Sequence, residues 1–247
     1  MTRWAERTTE ETEAQVARVL FLPVGSTEAH GPHLPLDTDV LIAEAMIDRA
    51  IARLEGQGIS AARLPALAYG VTEYAAPFAG TISVSKETVV SMIRDIARGL
   101  GSSGAEALVL ANGHLEQAHR RALREAVEPL VDLAPKVLFP DNTRRPWAER
   151  LGAEFLSGSC HAGRYETSIL LAACPERVQR ARAQALPDLE VDLAKAARDG
   201  AKNFLELGMA DAYCGQPKDA SAEEGEQILE VLATMLVETA LQAIEAR

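Results

Sequence analysis

Short apolar runs alternate with amphipathic segments along most of the chain. Residues 19–25 (VLFLPVG) and 106–113 (EALVLANG) are mostly apolar and end in glycine, a pattern typical of strands buried on both faces of a sheet. Residues 39–58, 86–104 and 116–132 instead carry apolar side chains at helical spacing. Strands that alternate with helices predict an α/β fold with a mostly parallel central sheet covered on both faces.

The rest of the chain gives weaker patterns of the same kind. They predict extended segments at 61–70, 80–85 and 136–141. They also predict the start of a helix at 166–173 and a further helix at 189–208. A C-terminal helix is predicted from Ser221, because Ser221 and Glu224 have the spacing of a capping box. No repeat, linker or low-complexity tract divides the sequence, so residues 1–247 are predicted to form one domain.

Composition and charge exclude several classes of function. The 247 residues are 47% hydrophobic and 25% charged, as in ordinary globular proteins. The formal net charge of −11, with no Lys/Arg-rich block, argues against a nucleic-acid partner. The N-terminal stretch is charged throughout, unlike a secretory signal, and no apolar run approaches the ~18 residues of a membrane span. Three cysteines are an odd number without metal-type spacing. We expect a cytoplasmic protein with no membrane partner and no disulfide framework.

Polar clusters follow the two clearest strands. The stretch 26–39 (STEAHGPHLPLDTD) comes directly after the first strand, and 112–117 (NGHLEQ) comes directly after the strand at 106–113. Ligands of open α/β sheets bind beyond the carboxyl ends of the strands, so the two clusters are expected to converge there. A third cluster, 160–168 (CHAGRYETS), supplies His161, which could act as a general acid or base.

These clusters have the residue types of a metal site. Glu28 and His30 stand two apart after a strand, and His114 and Glu116 repeat that spacing. A third carboxylate comes from one of the aspartates in 37–39. Two imidazoles and three carboxylates suit Zn²⁺, Mn²⁺ or Fe²⁺, and five ligands suit two ions that share a carboxylate. A hydrogen-bonded structural role for the same residues is the alternative.

Three blocks, LPVGSTEAHGPHLPLDTD, NGHLEQ and HAGRYETS, resemble the signature blocks of the creatininase (creatinine amidohydrolase) family in order and spacing. YGVTEYAAPFAGTIS and GQPKDASAEEG resemble two weaker family blocks, and together the blocks span residues 19–225. The resemblance implies a three-layer α/β/α fold, a binuclear metal centre with two divalent ions per chain (Zn and/or Mn, with Fe possible), and a homo-hexamer built from dimers.

The resemblance also assigns roles to individual residues. The implied metal ligands are Glu28, His30, Asp39, His114 and Glu116. One ion would take Glu28 and His114, the other would take His30 and Glu116, and Asp39 would bridge them. His161 would carry the proton to the leaving nitrogen, with Glu116 the next candidate for that catalytic step. The implied supporting residues are His33, Asp37 and Glu166, the last of which would orient loops or the histidine.

Substrate contacts are less well defined by the sequence. The candidates are Thr72, Tyr74, Cys160 and Arg164. Cys160 and Arg164 depart from the family pattern, which has acids at these positions in creatininase or in many relatives. Arg164 could bind a substrate carboxylate or pair with a neighbouring acid. Trp147 is the only tryptophan within reach of the site, and His119 is expected to be structural or exposed.

The leading functional hypothesis is a metal-dependent amidohydrolase. It would hydrolyse a non-peptide C–N bond of a small cyclic amide or related amide through a metal-bridging hydroxide, with His161 protonating the leaving nitrogen. A peptidase or deformylase acting on a biosynthetic intermediate is the second enzymatic hypothesis. A non-catalytic, metal-bound assembly subunit is the alternative from another class.

The two neighbouring aspartates give the first testable prediction. Asp39→Ala should remove the bridging ligand and cost the second ion together with nearly all activity. Asp37→Ala, the matched control, should do much less. Metal analysis and activity assays of both variants check this, and equal damage from the two would show that the wrong aspartate has been assigned.

Overall fold

The computed structural model describes residues 3–130 and 133–245, and its centre is a four-stranded parallel sheet in the order β2–β1–β3–β4. The strands are β1 (Val19–Val24), β2 (Ala61–Arg63), β3 (Ala107–Asn112) and β4 (Lys136–Leu138). β1 and β3 pair over their full length, from Val19↔Ala107 to Val24↔Asn112, whereas β2 and β4 add three pairs each. The prediction of an α/β fold with a parallel sheet is confirmed.

Helices cover both faces of the sheet. In chain order they are α1 (Thr9–Ala14), α2 (Thr38–Glu55), α3 (Lys86–Gly99), α4 (Gln117–Val127), α5 (Ala153–Ser157), α6 (Arg164–Ala173), α7 (Arg180–Ala185), α8 (Leu193–Arg198) and α9 (Ala222–Glu245). Alternate side chains of β1 enter opposite cores: Phe21 belongs to the core that includes residues of α2, α6 and α9, and Leu22 belongs to the core that includes residues of α3 and α4. A strand buried on both faces therefore needs the continuous apolar run seen in the sequence.

Several predicted elements are shorter than expected or wrong. The extended segment at 61–70 contains the three residues of β2 and one further bridge between Leu67 and Val24, and 80–85 contributes a single bridge between Ile82 and Thr27. β4 ends at Leu138 rather than at 141. These segments lie at the sheet edge or in loops, where few partner strands are available to extend the pairing.

The predicted helices also differ in places. The prediction of one helix over 189–208 is wrong. The chain forms the short helix α8, and Gly200 then adopts a φ of 90°, which interrupts the helix. Only a short 3₁₀ turn follows. α4 ends at Val127 and passes into a 3₁₀ turn that contains Pro129, which cannot continue a helix. The last predicted residues of that helix, 131–132, lie outside the described residues, as do 246–247.

Helix α9 is apolar enough, by length and composition, to cross a membrane. It has 24 residues, and its most apolar window has a mean hydropathy of 1.4. The sequence analysis did not identify this apolar segment. Of that window, 56% is buried, and α9 packs against α2 and α6. One such helix is weak evidence for a span, because the core helix of a globular domain passes the same test. The absence of a membrane partner stays a prediction.

Close packing of α6 on α9 depends on a glycine. Any Cβ at Gly225 would lie 1.9 Å from the Ser168 carbonyl oxygen. Gly225→Ala should therefore destabilise the fold by about 1–3 kcal/mol, although Ala normally stabilises a helix interior by ~1 kcal/mol relative to Gly. Urea denaturation measures the effect. Gly99→Ala in α3, where no atom lies within 4 Å of the added Cβ, is the control and should be neutral or stabilising. An unchanged midpoint for Gly225→Ala would contradict the packing argument.

Candidate metal centre

Four of the predicted metal ligands converge at the carboxyl ends of β1 and β3. His114 Nδ1 lies 3.0 Å from Asp39 Oδ2 and 3.2 Å from Glu28 Oε1. His30 Nε2 lies 3.3 Å from Asp39 Oδ1 on the other side of the same carboxylate. All four side chains are buried. Asp39 therefore stands between the two imidazoles.

Two glycines allow this approach. Gly25 follows β1 and Gly113 follows β3, and both lie against the first turn of α2. A Cβ at Gly113 would be 2.1 Å from the Asp39 carbonyl oxygen, and a Cβ at Gly25 would be 2.7 Å from the Val40 nitrogen. The backbone of α2 can thus contact both strand ends. Because Asp39 lies in the first turn of α2, the helix dipole also favours its negative charge.

Glu166 joins this cluster from α6. Its Oε2 lies 3.6 Å from His30 Nε2 and accepts a hydrogen bond of 2.7 Å from the backbone N–H of Ala162. The described residues contain three groups whose donor atoms lie close enough to share a metal ion: Glu28–Asp39–His114, His30–Asp39–Glu166 and Glu28–His30–His161. Sequence reasoning gave Glu166 only a supporting role, since its distance along the chain hides its position.

The geometry of these groups fits a divalent ion better than a hydrogen-bond network. His30 Nε2 and Asp39 Oδ2 are fully buried and have no hydrogen-bond partner among the described residues, although charged atoms lie 3.0–3.3 Å away. Two donor atoms that each lie about 2.1 Å from one ion are separated by about 3.0–3.5 Å. Imidazole nitrogens and carboxylate oxygens are the donor set of Zn²⁺ and Mn²⁺ sites.

The electrostatics of the cluster also favour bound positive charge. Burial works to lower the pKa of His30, but nearby carboxylates, Asp39 foremost, raise it to about 10. Burial works to raise the pKa of Asp39, but His114 and His30 hold it below its usual value. Burial raises the pKa of Glu166 above its usual value. The carboxylates together stabilise cations at their centre.

The far ring nitrogens of the two central histidines face backbone carbonyls. His30 Nδ1 lies 3.1 Å from the Glu28 oxygen, and His114 Nε2 lies 2.9 Å from the Val71 oxygen. The Val71 N–H in turn donates to Nδ1 of His119, which is fully buried. Such contacts fix which nitrogen of a ligating histidine points at the ion. The ring of His119 fills the space that a side chain at Gly70 would need.

A cavity of about 440 Å³ opens above the cluster. Glu116 lines this cavity, and its carboxylate accepts backbone N–H groups from Glu73 and Tyr74 at 3.2 Å each. Glu116 belongs to none of the three candidate ligand groups among the described residues. Burial raises its pKa to about 7, so it can exchange a proton near neutral pH.

His161 lies at the junction of the cavity and the cluster. Its Nδ1 is 3.8 Å from Glu28 Oε1, and its Nε2 is 3.0 Å from the Ala29 carbonyl oxygen. The ring packs between His30 and Phe204, with centroid distances of 4.5 and 4.4 Å. Burial, together with His30, lowers the pKa of His161 to about 4. The next residue, Ala162, has a φ of 48°, an uncommon conformation that turns the chain toward Glu166.

Some of the remaining predicted residues line the cavity, and the others bind neighbouring carboxylates. Tyr74 and Cys160 line the cavity, and burial raises the pKa of Cys160 well above its usual value, so it stays a thiol. Thr72 instead donates a hydrogen bond to the Glu28 carboxylate. Arg164 is not among the lining residues, because it pairs with Glu224 at 2.6 Å.

Other expected contributors lie further from the cluster. His33 is fully buried, with Nε2 3.0 Å from Thr167 Oγ1, and Asp37 forms an exposed ion pair with Arg177. Trp147 packs against the core and the Arg150 guanidinium, whereas its neighbour Ala148 lines the cavity.

Sequence reasoning missed Glu154, which holds the start of α6 in place. Its carboxylate accepts backbone N–H groups from Tyr165 (2.8 Å), Arg164 (3.0 Å) and Gln216 (2.7 Å). A carboxylate that satisfies the free N–H groups of a helix start also complements the helix dipole. Glu154 thereby fixes the segment that carries His161 and Glu166. No local motif marks this residue, because its partners lie 10 or more positions away.

The fold and site together define an α/β enzyme with a buried histidine–carboxylate centre suited to divalent metal. The sequence profile of the Creatininase family, described as creatinine amidohydrolase, matches residues 5–240, and the chain belongs to this family. The resemblance seen in the sequence blocks is thereby confirmed.

Characterised relatives differ in the activity for which they are named. Mycofactocin precursor peptide peptidase of Mycobacterium tuberculosis is 35% identical over 216 residues, covering 85% of this chain and 79% of its own. Creatinine amidohydrolase of Pseudomonas putida is 34% identical over 250 residues, covering 92% of this chain and 91% of its own. A crystal structure of creatinine amidohydrolase (creatininase) is 30% identical, with a TM-score of 0.74 and coverage of 98% and 97%.

The chain is therefore a hydrolase of the creatininase family that acts on C–N bonds. Creatininase structures with manganese (TM-score 0.71, 27% identical, coverage 98% and 98%) and of a Zn–Zn type (TM-score 0.69, 27% identical, coverage 97% and 96%) share its fold. Both metals match the donor set of the cluster.

Proposed function

We propose that this chain is a binuclear metal-dependent amidohydrolase that hydrolyses a non-peptide C–N bond in a small cyclic amide or related amide. The observation that carries the proposal is the arrangement of Asp39. Its two carboxylate oxygens belong to two separate ligand groups at the floor of one cavity. A carboxylate shared in this way is what two neighbouring divalent ions require.

Each ion would take three protein ligands. Glu28, Asp39 and His114 would hold one, and His30, Asp39 and Glu166 would hold the other. This arrangement replaces Glu116, the ligand expected from the sequence, by Glu166, because the Glu166 carboxylate lies 3.6 Å from His30 Nε2 whereas Glu116 belongs to neither group. Zn²⁺ and Mn²⁺ both suit these donors.

The chain's own residues would then move the protons. A pair of divalent ions polarises a carbonyl group and lowers the pKa of water. Glu116, held by two backbone N–H groups at the cavity wall, would accept a proton from the attacking water. His161 would donate its Nε2 hydrogen to the Ala29 oxygen, which leaves the Nδ1 lone pair free to receive the proton released by the water and to pass it on to the leaving nitrogen.

A peptidase is the second candidate function. It is favoured by the 35% identity to mycofactocin precursor peptide peptidase, and by a cavity of about 440 Å³, which has room for a dipeptide-sized group. The homo-hexamer and the cytoplasmic location implied by the sequence stay predictions, and light scattering of the purified protein tests the first.

The two glutamates give a sharp test of the ligand assignment. Glu166→Gln should lower the metal content to about one ion per chain, because an amide is a much poorer ligand than a carboxylate. Glu116→Gln should keep the metal while kcat falls by about 10²–10⁴-fold, the usual contribution of a positioned acid–base group. Metal analysis by mass spectrometry, together with steady-state kinetics, checks both variants. Metal loss in Glu116→Gln with full occupancy in Glu166→Gln would reverse the assignment.

A substrate panel tests the function itself. The metal-loaded protein should hydrolyse cyclic imides and lactams in preference to peptides, lose activity on chelation, and recover it with Zn²⁺ or Mn²⁺. His161→Ala should slow alkylamides more than activated anilides, because an anilide nitrogen needs less protonation as it leaves. Turnover of peptides alone would favour the peptidase. A metal-loaded protein without any turnover would favour the non-catalytic subunit.

A further inference from the structure

Arg120 gives one wall of the cavity a positive charge. It lies in α4 four residues after Glu116, so both side chains face the same side, and both line the cavity. Its side chain is 17% exposed. Nε donates to the Leu115 oxygen (3.0 Å) and Nη1 donates to Thr143 Oγ1 (2.5 Å). No acceptor for Nη2 is found among the described residues, so these N–H groups are available to a ligand.

The charge of Arg120 is not balanced by its neighbours. Its nearest carboxylate is Asp141, at 3.7 Å, and this carboxylate also pairs with Arg124 and, at 3.6 Å, with Arg144. Asp141 accepts two further hydrogen bonds from Thr143, at 2.6 and 3.1 Å. One negative charge is therefore shared by three guanidinium groups. A second anion at this wall would meet net positive charge.

Much of the remaining wall is apolar. Its apolar part is formed by Leu115, Phe155, Leu156, Leu193, Ala194 and Ala197, and the charged residues Asp192 and Arg198 lie on the same lining. The floor, by contrast, carries the carboxylates of Glu28, Asp39 and Glu166, whose negative charge the two proposed divalent ions would balance. A ligand with an apolar body and one anionic end can place its body against the apolar wall and its anion at Arg120. The cavity thus orients such a ligand by charge as well as by shape.

We propose that Arg120 binds a carboxylate of the substrate, and that the substrate is a small amide whose apolar portion carries this carboxylate away from the scissile bond. A carboxylate matches the planar guanidinium group and forms charge-assisted hydrogen bonds with it. The identity of the reacting bond rests on the proposed function, but the anion site does not. Arg120 is thus a specificity-determining residue.

Binding of two matched probes tests the anion site. 3-Phenylpropanoate and the neutral ketone 4-phenyl-2-butanone differ in charge but hardly in shape, and neither carries a hydrolysable C–N bond. By calorimetry, the full-length protein should bind the acid about 10–100-fold more tightly than the ketone, as expected for charge-assisted hydrogen bonds. Arg120→Met should reduce this ratio to about one. Arg121→Met, which removes an exposed charge from the same helix, is the matched control and should keep the preference.

Two outcomes would overturn the proposal. Equal binding of the acid and the ketone by the parent protein would show that no anion site exists. A preference for the acid that survives in Arg120→Met would show that another group, such as Arg198 or a bound metal ion, holds the carboxylate. Arg120→Gln, which keeps a hydrogen-bonding side chain without the charge, gives the same comparison should Arg120→Met fail to fold.

Kinetics separate this proposal from the proposed function. N-Acetylphenylalanine and N-acetyl-2-phenylethylamine carry the same acetamide bond with and without a carboxylate. Hydrolysis of both compounds at equal kcat/KM would support the proposed amidohydrolase activity and refute the role of Arg120. If neither compound is hydrolysed but 3-phenylpropanoate is preferred in an Arg120-dependent way, the proposed substrate bond is refuted and the anion site is supported.

Discussion

The structure depends on a single buried carboxylate, Asp39, held between two imidazoles. Its two oxygens lie 3.3 Å from His30 Nε2 and 3.0 Å from His114 Nδ1. To reach this position, the first turn of α2 must contact the ends of β1 and β3, which Gly25 and Gly113 permit. The chemistry of the site therefore depends on β1 and β3 being neighbours in the sheet and on α2 beginning against their ends.

A floor with this many buried acids is costly without compensating charge. Burying an ionised carboxylate without a partner costs several kcal/mol, so such groups are normally paired or bound to metal. Here the hydrogen bonds around the floor come largely from backbone groups, as at Glu166 and Glu116. Glu154 fixes the helix start behind them. The surrounding scaffold thus orients the carboxylates, and divalent ions would balance their charge.

The relatives show why the site alone does not name a substrate. A creatinine amidohydrolase and a mycofactocin precursor peptide peptidase are similar to this chain to almost the same extent, at 34% and 35% identity. We infer that substrate choice resides in the cavity wall, whose side chains come largely from α4, α5 and α8. In this chain that wall carries Arg120 and an apolar surface.

The sequence by itself determined the parallel sheet, the family and four converging residues, because apolar strands and the motifs directly after them are local patterns. Only the tertiary structure decided that Glu166 approaches His30 and Glu116 does not, that Arg164 pairs with Glu224, and that Arg120 faces the cavity. These contacts join segments 60 or more residues apart, as for Arg164 and Glu224, or depend on which side of a helix faces the cavity. Spacing along the chain places Arg120 on the same side as Glu116, but which side faces the cavity and which distant segments meet are set by how the helices pack on the sheet.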